Sequence, residues 1–190
     1  MSEKERLRAA LAEYQPQVIE LGGHMAAAVL VLLYDHGGSS HVVFQKRTDL
    51  VQDHKGQISF PGGGMDPGDT DLLFTALRET QEEIGVEPVH VDVLGRLDDH
   101  VTVSNFRVTP FVAWLAHYPY EWRFSDEEVA YLLEVPLPHL LDPATLIPDR
   151  RFIDGREYVL PSYQFGEDLI WGATARMLTN FLDVWASTAT

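Results

Sequence analysis

Residues 60–86 read Phe60-Pro61-Gly62-Gly63-Gly64-Met65-Asp66-Pro67-Gly68-Asp69-Thr70-Asp71-Leu72-Leu73-Phe74-Thr75-Ala76-Leu77-Arg78-Glu79-Thr80-Gln81-Glu82-Glu83-Ile84-Gly85-Val86. The second half has a helical period. Leu73, Leu77, Thr80 and Ile84 recur every three or four residues, which predicts a helix over 71–85 with a narrow, mostly apolar stripe. Gly85 supplies the stop. A helix advances roughly 100° per residue, so Glu79, Glu82 and Glu83 gather as neighbours on a different face. Like charges at that spacing repel. From Gly62 to Val89 there are seven acidic side chains and one basic one, Arg78. A bound cation would supply the missing positive charge; a solvated helix face is the alternative reading.

The first half is a shaped loop. Phe60–Asp69 holds four glycines and two prolines, and glycine lets a ligand approach main-chain atoms closely. A carbonyl from this loop, such as that of Gly63, would complete a metal shell. Carboxylate and carbonyl oxygens suit magnesium, manganese or calcium. The spacing fits neither an EF-hand nor a P-loop, and a dinucleotide fingerprint fits poorly.

Outward from this stretch, apolar runs over 25–34 and 41–47 read as strands, joined through Gly37-Gly38-Ser39-Ser40. Residues 89–103 and 106–116 read as long strands. Residues 129–135 read as another, followed by a short helical turn before Pro143. Asp154-Gly155 between apolar runs marks a hairpin. Residues 2–13 and 173–185 read as amphipathic helices. Many strands with few helices point to an α+β fold or mixed-sheet sandwich. The length of 190 residues fits one domain spanning 1–190, with residues 1–20 a helical extension.

The formal charge of -15 disfavours nucleic-acid backbone as a partner. The absence of cysteine excludes a disulfide framework, a thiolate nucleophile and any cysteine-ligated zinc or iron–sulfur site. Neither a signal peptide nor a bilayer-spanning run is read, so the expected setting is cytoplasmic with no membrane partner. The oligomeric state is left open.

Gly64 followed at the right intervals by Arg78-Glu79-Thr80-Gln81-Glu82-Glu83-Ile84-Gly85-Val86 resembles the signature of the Nudix hydrolase family, which would make 64–86 the Nudix box. Two positions depart: Thr70 stands where the family has its first glutamate, and Thr80 replaces an aliphatic residue. Asp69 and Asp71 are the candidates to stand in for that glutamate. A second motif, upstream, resembles the coenzyme A diphosphatase branch. Aligned on Phe60-Pro61-Gly62-Gly63, it puts Arg47 and Gly56 on motif positions, with Gln45 in place of a threonine and Gln52 in place of an arginine.

The resemblance implies a Nudix-like α/β/α sandwich with a loop–helix–loop catalytic motif. It implies hydrolysis of coenzyme A, or its acyl or oxidised forms, to 4'-phosphopantetheine and adenosine 3',5'-bisphosphate. Glu79, Glu82, Glu83 and the Gly63 carbonyl would hold Mg2+ or Mn2+, neutralising the diphosphate and activating a water. Arg78 would orient carboxylates. Glu83 or Glu128 would act as general base. Arg47 falls on a motif position, and Lys46 and Lys55 beside it are candidates to hold phosphate. His54, Gly56 and Phe60 complete the expected substrate contacts. The rival readings are another nucleotide diphosphate substrate, such as ADP-ribose or NADH, and a non-catalytic sensor of nucleotide metabolites.

Overall fold

The computed structural model describes residues 1–48, 56–153 and 156–188. Of the sequence expectations, His54 and Lys55, the motif position Gln52 and the Asp154-Gly155 turn lie outside the described residues.

Strand β1 (Met25–His36) turns through Gly37-Gly38 into β2 (Ser39–Arg47), both glycines having positive φ. Next come β3 (Ile58–Ser59), β4 (Gly62–Gly64) and helix α2 (Leu72–Ile84). The expected strand over 89–103 is broken into a short 3-10 turn (Pro88–His90), β5 (Val91–Arg96) and β6 (His100–Val101). Strand β7 (Phe106–Leu115) lies parallel to β1, while β2, β4 and β5 run antiparallel to their partners. The sheet is therefore mixed, as the α+β reading expects, and β8 (Val129–Pro136) closes it against β2.

Side-chain alternation along β1 divides the core. Ala27, Val31 and Leu33 face one layer, together with Leu7 and Leu11 of α1 (Glu3–Glu13) and the apolar face of α4 (Gly172–Ser187). Leu30, Leu32 and Tyr34 face the other, together with Ile84 of α2. The mixed sheet thus has helices on both faces.

A short helix α3 (Leu137–Leu141) leads to a separate three-stranded antiparallel sheet of β9 (Leu146–Ile153), β10 (Arg156–Phe165) and β11 (Asp168–Ile170). Helix α1 opens on a capping box between Ser2 and Glu5. Lys4 and Arg8 each pair with Asp92 at 2.6 Å, tying it to β5. No described helix is long and apolar enough to cross a membrane.

Candidate active site

Helix α2 starts on Asp71, whose side chain accepts from the Phe74 amide at 2.8 Å, and ends on Gly85 in the left-handed conformation. Its buried face is Thr75, Ala76, Thr80, Glu83 and Ile84. This differs from the expected stripe. Leu73 and Leu77 lie only at its border, and Glu83 sits inside it with 2% of its side chain exposed. The helix is rolled toward its carboxylates because polar groups wait for Glu83 on the sheet. Its Oε2 accepts from the Gly62 amide at 2.8 Å and its Oε1 from Arg47 Nη1 at 3.0 Å.

The three box carboxylates consequently occupy different environments. Glu83 is buried, Glu79 is half-buried, and Glu82 is 58% exposed. Burial raises the Glu83 pKa to about 7, against the opposing pull of the Gly62 amide, Gln45 and Arg47 and with the repulsion of Glu79 added. Burial likewise raises Glu79, against the attraction of Arg78. Gln45 is fully buried near Glu83 and favours its charged form, yet neither amide atom closes a hydrogen bond.

The glycines before the helix have separate reasons. Gly62 has φ 143°, and a Cβ there would lie 2.3 Å from the Ala28 carbonyl oxygen. A Cβ on Gly63 would lie 2.6 Å from the carboxyl carbon of Glu79. What reads in the sequence as loop is thus partly the short strand β4, laid on β1 and pressed against a box carboxylate.

Arg78 joins these parts. Its Nη1 is 2.9 Å from Glu79 and 3.1 Å from Glu82, and its Nη2 donates to the Gly64 carbonyl at 3.2 Å. Its Nε and Nη2 grip Asp69 at 2.9 and 3.0 Å. That fork holds the Asp69 carboxyl well below the usual carboxylate range.

Arg47 reaches across from β2. Besides Glu83 it faces Glu128, with Nη2 3.9 Å from the carboxylate. The segment before β8 is positioned by the end of α2, whose last carbonyls would otherwise lack partners. Ser125 donates to the Glu83 carbonyl at 3.0 Å and Arg123 to that of Ile84 at 3.2 Å. Glu79, Glu83, Arg47, Gly63 and Glu128 therefore converge on one side of α2.

Other expected contacts do not join them. Lys46 stands between Gln45 and Arg47 in an alternating strand and so points to the opposite face. There it pairs with Asp168 at 2.8 Å and lies over the Tyr131 ring. This separates it from the Arg47 cluster it was expected to join. Phe60 is 1% exposed and stacks on Phe44 within the core; packing, not substrate contact, accounts for it. Gly56 adopts φ 64°, a conformation glycine takes without strain. A cavity of about 500 Å³ lies elsewhere, bordered by Met65, Asp71, Leu72, Arg96, Arg107 and Phe111; none of Glu79, Glu82 and Glu83 lines it. Sequence reasoning missed the Lys46 partners, although period-two alternation would have separated Lys46 from Arg47.

Among the described residues no three acidic or histidine side chains form a ready cation cage. The donor chemistry nevertheless suits a hard divalent ion. Burial raises the cost of ionising both Glu79 and Glu83, with Glu79 adding to it at Glu83, and the Gly63 backbone abuts one of them. A cation would relieve both penalties.

A glycine strand laid on a mixed sheet and a helix carrying three carboxylates against it define the class of fold and site. Residues 24–154 match the NUDIX domain family, and the chain belongs to the Nudix family. It is 33% identical over 156 residues to the peroxisomal coenzyme A diphosphatase NUDT7 of Mus musculus, spanning 79% of this chain and 66% of that protein. It is 38% identical over 157 residues to the uncharacterized Nudix hydrolase NudL of Pectobacterium atrosepticum, spanning 80% and 78%. Among solved structures, a MutT/nudix family protein from Enterococcus faecalis superposes with TM-score 0.54 at 15% identity, over 97% of this chain and 70% of that one. A C. elegans Ap4A hydrolase complex superposes with TM-score 0.50 at 21% identity, over 60% and 81%. These structural likenesses establish the fold.

Proposed function

We propose that this Nudix hydrolase cleaves the diphosphate linkage of coenzyme A, or of its acyl or oxidised derivatives, giving 4'-phosphopantetheine and adenosine 3',5'-bisphosphate. One observation carries the reading. Arg47, from the upstream motif that resembles the coenzyme A diphosphatase branch, meets Glu83 of the box at 3.0 Å. Two motifs distant in sequence thus meet in the fold, which supports a shared site. The similarity to the mouse coenzyme A diphosphatase supports the same substrate.

In this reading Glu79, Glu82, Glu83 and the Gly63 carbonyl hold Mg2+ or Mn2+. The ion supplies charge neutralisation for the diphosphate and lowers the pKa of water. Arg78 keeps Glu79 and Glu82 oriented through its charge-assisted hydrogen bonds. Arg47, facing both Glu83 and Glu128, is placed to trade a carboxylate for a substrate phosphate oxygen. Glu128, half-exposed beside Arg47, takes the proton from the attacking water. The new P–O bond forms as the bond to the bridging oxygen breaks, and that oxygen leaves with the electron pair. His54, Lys55 and Gly56 complete the phosphate contacts. The proposed partner is a small molecule, consistent with a chain whose charge of -15 repels nucleic acid. The proposed setting is the cytoplasm, a reducing compartment that a cysteine-free chain tolerates.

The test is incubation with coenzyme A and Mg2+ or Mn2+, with products separated by chromatography and a Glu83→Gln variant alongside. The reading expects both products from the wild type and none from the variant. If neither metal supports cleavage of coenzyme A, the substrate assignment is wrong. Turnover of ADP-ribose or NADH in the same assay would then redirect it.

A further inference from the structure

The family pattern puts a glutamate at position 70, and this chain has Thr70, which is exposed. Of the two neighbouring aspartates, Asp71 is already committed: it caps α2 through the Phe74 amide. Asp69 is placed differently. Only 2% of its side chain is exposed, and its two oxygens accept the Nε and Nη2 of Arg78 in a parallel fork. Oδ2 also accepts the Asp66 amide at 3.0 Å and the Thr75 hydroxyl at 2.8 Å. The Asp69 amide in turn donates to the Asp66 carbonyl at 3.0 Å, curling the loop back over the helix.

We propose that Asp69 does the work of the missing box glutamate, as a positioning residue acting through Arg78. A bidentate carboxylate fixes both the plane and the rotation of a guanidinium. With Nε and Nη2 so fixed, Nη1 is aimed at Glu79 and Glu82, and Nη2 also at the Gly64 carbonyl. One aspartate in the loop thereby sets the directions of two box carboxylates and of the glycine strand. The substitution at position 70 therefore leaves the box geometry intact. In naming those carboxylates as ion ligands, the inference rests on the metal-dependent reading above.

The test combines Asp69→Ala, Thr70→Glu, their double variant, and Asp71→Asn. Two quantities are read: Mn2+ affinity of the purified protein without substrate, and kcat and KM for coenzyme A. Loss of an outer-shell partner costs roughly 10–100-fold in metal affinity or activity. Asp69→Ala is expected to lose that much in both Mn2+ affinity and kcat, with KM changed by less than about threefold. Thr70→Glu added to Asp69→Ala is expected to restore both to within about fivefold of the wild type. Asp71→Asn, which preserves the cap, should leave both unchanged.

The proposal is overturned if folded Asp69→Ala keeps wild-type Mn2+ affinity, or if its losses are not repaired by Thr70→Glu. If Asp69→Ala does not fold, Asp69→Asn takes its place with the same expectations, since it keeps the shape and removes half of the fork. Because Mn2+ affinity is read without substrate, a chain inert toward coenzyme A sinks the substrate reading while Asp69 is still judged.

Discussion

Adding one methyl group to each of Gly62, Gly63 and Gly64 in turn should have three different outcomes. At Gly62 the new Cβ would lie 2.3 Å from the Ala28 carbonyl oxygen and 2.5 Å from the Val29 Cα, where ordinary contact is 3.4–4 Å. Both obstacles are backbone, so β4 would have to move off β1 by more than an ångström, taking the Gly62 amide from Glu83. The residue would also keep φ near 143°. Backbone strain and overpacking together cost on the order of 2–6 kcal/mol, a large part of a typical stability of about 5–15 kcal/mol. Thermal unfolding followed by circular dichroism should show Gly62→Ala melting roughly 5–20 °C lower, at about 2–4 °C per kcal/mol for a chain of this size. At Gly63 the obstacle is the end of a side chain, the Glu79 carboxylate at 2.6–2.9 Å. That group can swing away, so Gly63→Ala should stay folded while losing up to about 100-fold in turnover, the scale of an ångström's misplacement. At Gly64 the nearest atom is a Phe106 ring carbon at 3.7 Å, an ordinary contact, and Gly64→Ala should change neither quantity. The reasoning fails if Gly62→Ala melts within a degree or so of the wild type, or if folded Gly63→Ala hydrolyses its substrate at the wild-type rate.

Three further outcomes follow from single interactions. Asp99 is buried and accepts from Arg96 at 2.6 Å, Thr109 at 2.6 Å and the Ile19 amide at 3.0 Å; Asp99→Ala should cost about 3 kcal/mol in urea unfolding, and a loss below about 1 kcal/mol would show those donors finding other partners. Gln45 is buried beside Glu83 and favours its charged form, so Gln45→Met should push the Glu83 pKa further up in an NMR titration; an unchanged midpoint would show that the amide does not act on the carboxylate. Lys4 and Arg8 hold the Asp92 carboxyl below its ordinary 3.8. A lowered folded pKa gives stability that is present above 3.8 and lost as pH falls through the lower folded value. An NMR titration of the Asp92 carboxyl should therefore show a midpoint below 3.8 in the wild type, rising when Lys4 and Arg8 are both replaced by methionine. An unchanged midpoint would remove these pairs as the tether of α1.

The strand read over 25–34 and the helix read over 71–85 were legible because an apolar run bounded by turn residues and a helical period are both local properties of the chain. The parallel pairing of β1 with β7 was not, since register between distant strands is set by packing on both faces. In the same way, the helical wheel assigned Leu73 and Leu77 to the core and left Glu83 outside. Helical arithmetic ranks side chains by hydrophobicity and cannot know that a carboxylate will find the Gly62 amide and Arg47 waiting on the sheet. Phe60 erred in the opposite direction: a motif position suggested contact with substrate, while its stacking on Phe44 accounts for it within the core. Lys46 shows where a physical rule was available and unused, because residues adjacent in a strand face opposite ways.

Arg78 and Asp69 take that reasoning one step further. A signature describes residue types at fixed intervals, but the guanidinium needs only two acceptor oxygens in one plane at hydrogen-bonding distance. Asp69 meets that geometric requirement from one position earlier, using a tight loop in place of the longer glutamate side chain. A mismatch at Thr70 is therefore weak evidence against function, since the quantity under constraint is the position of the oxygens. The same reasoning makes Gly63 the more informative position for function: it has no side chain to conserve, and its lack of a Cβ is what leaves room for Glu79.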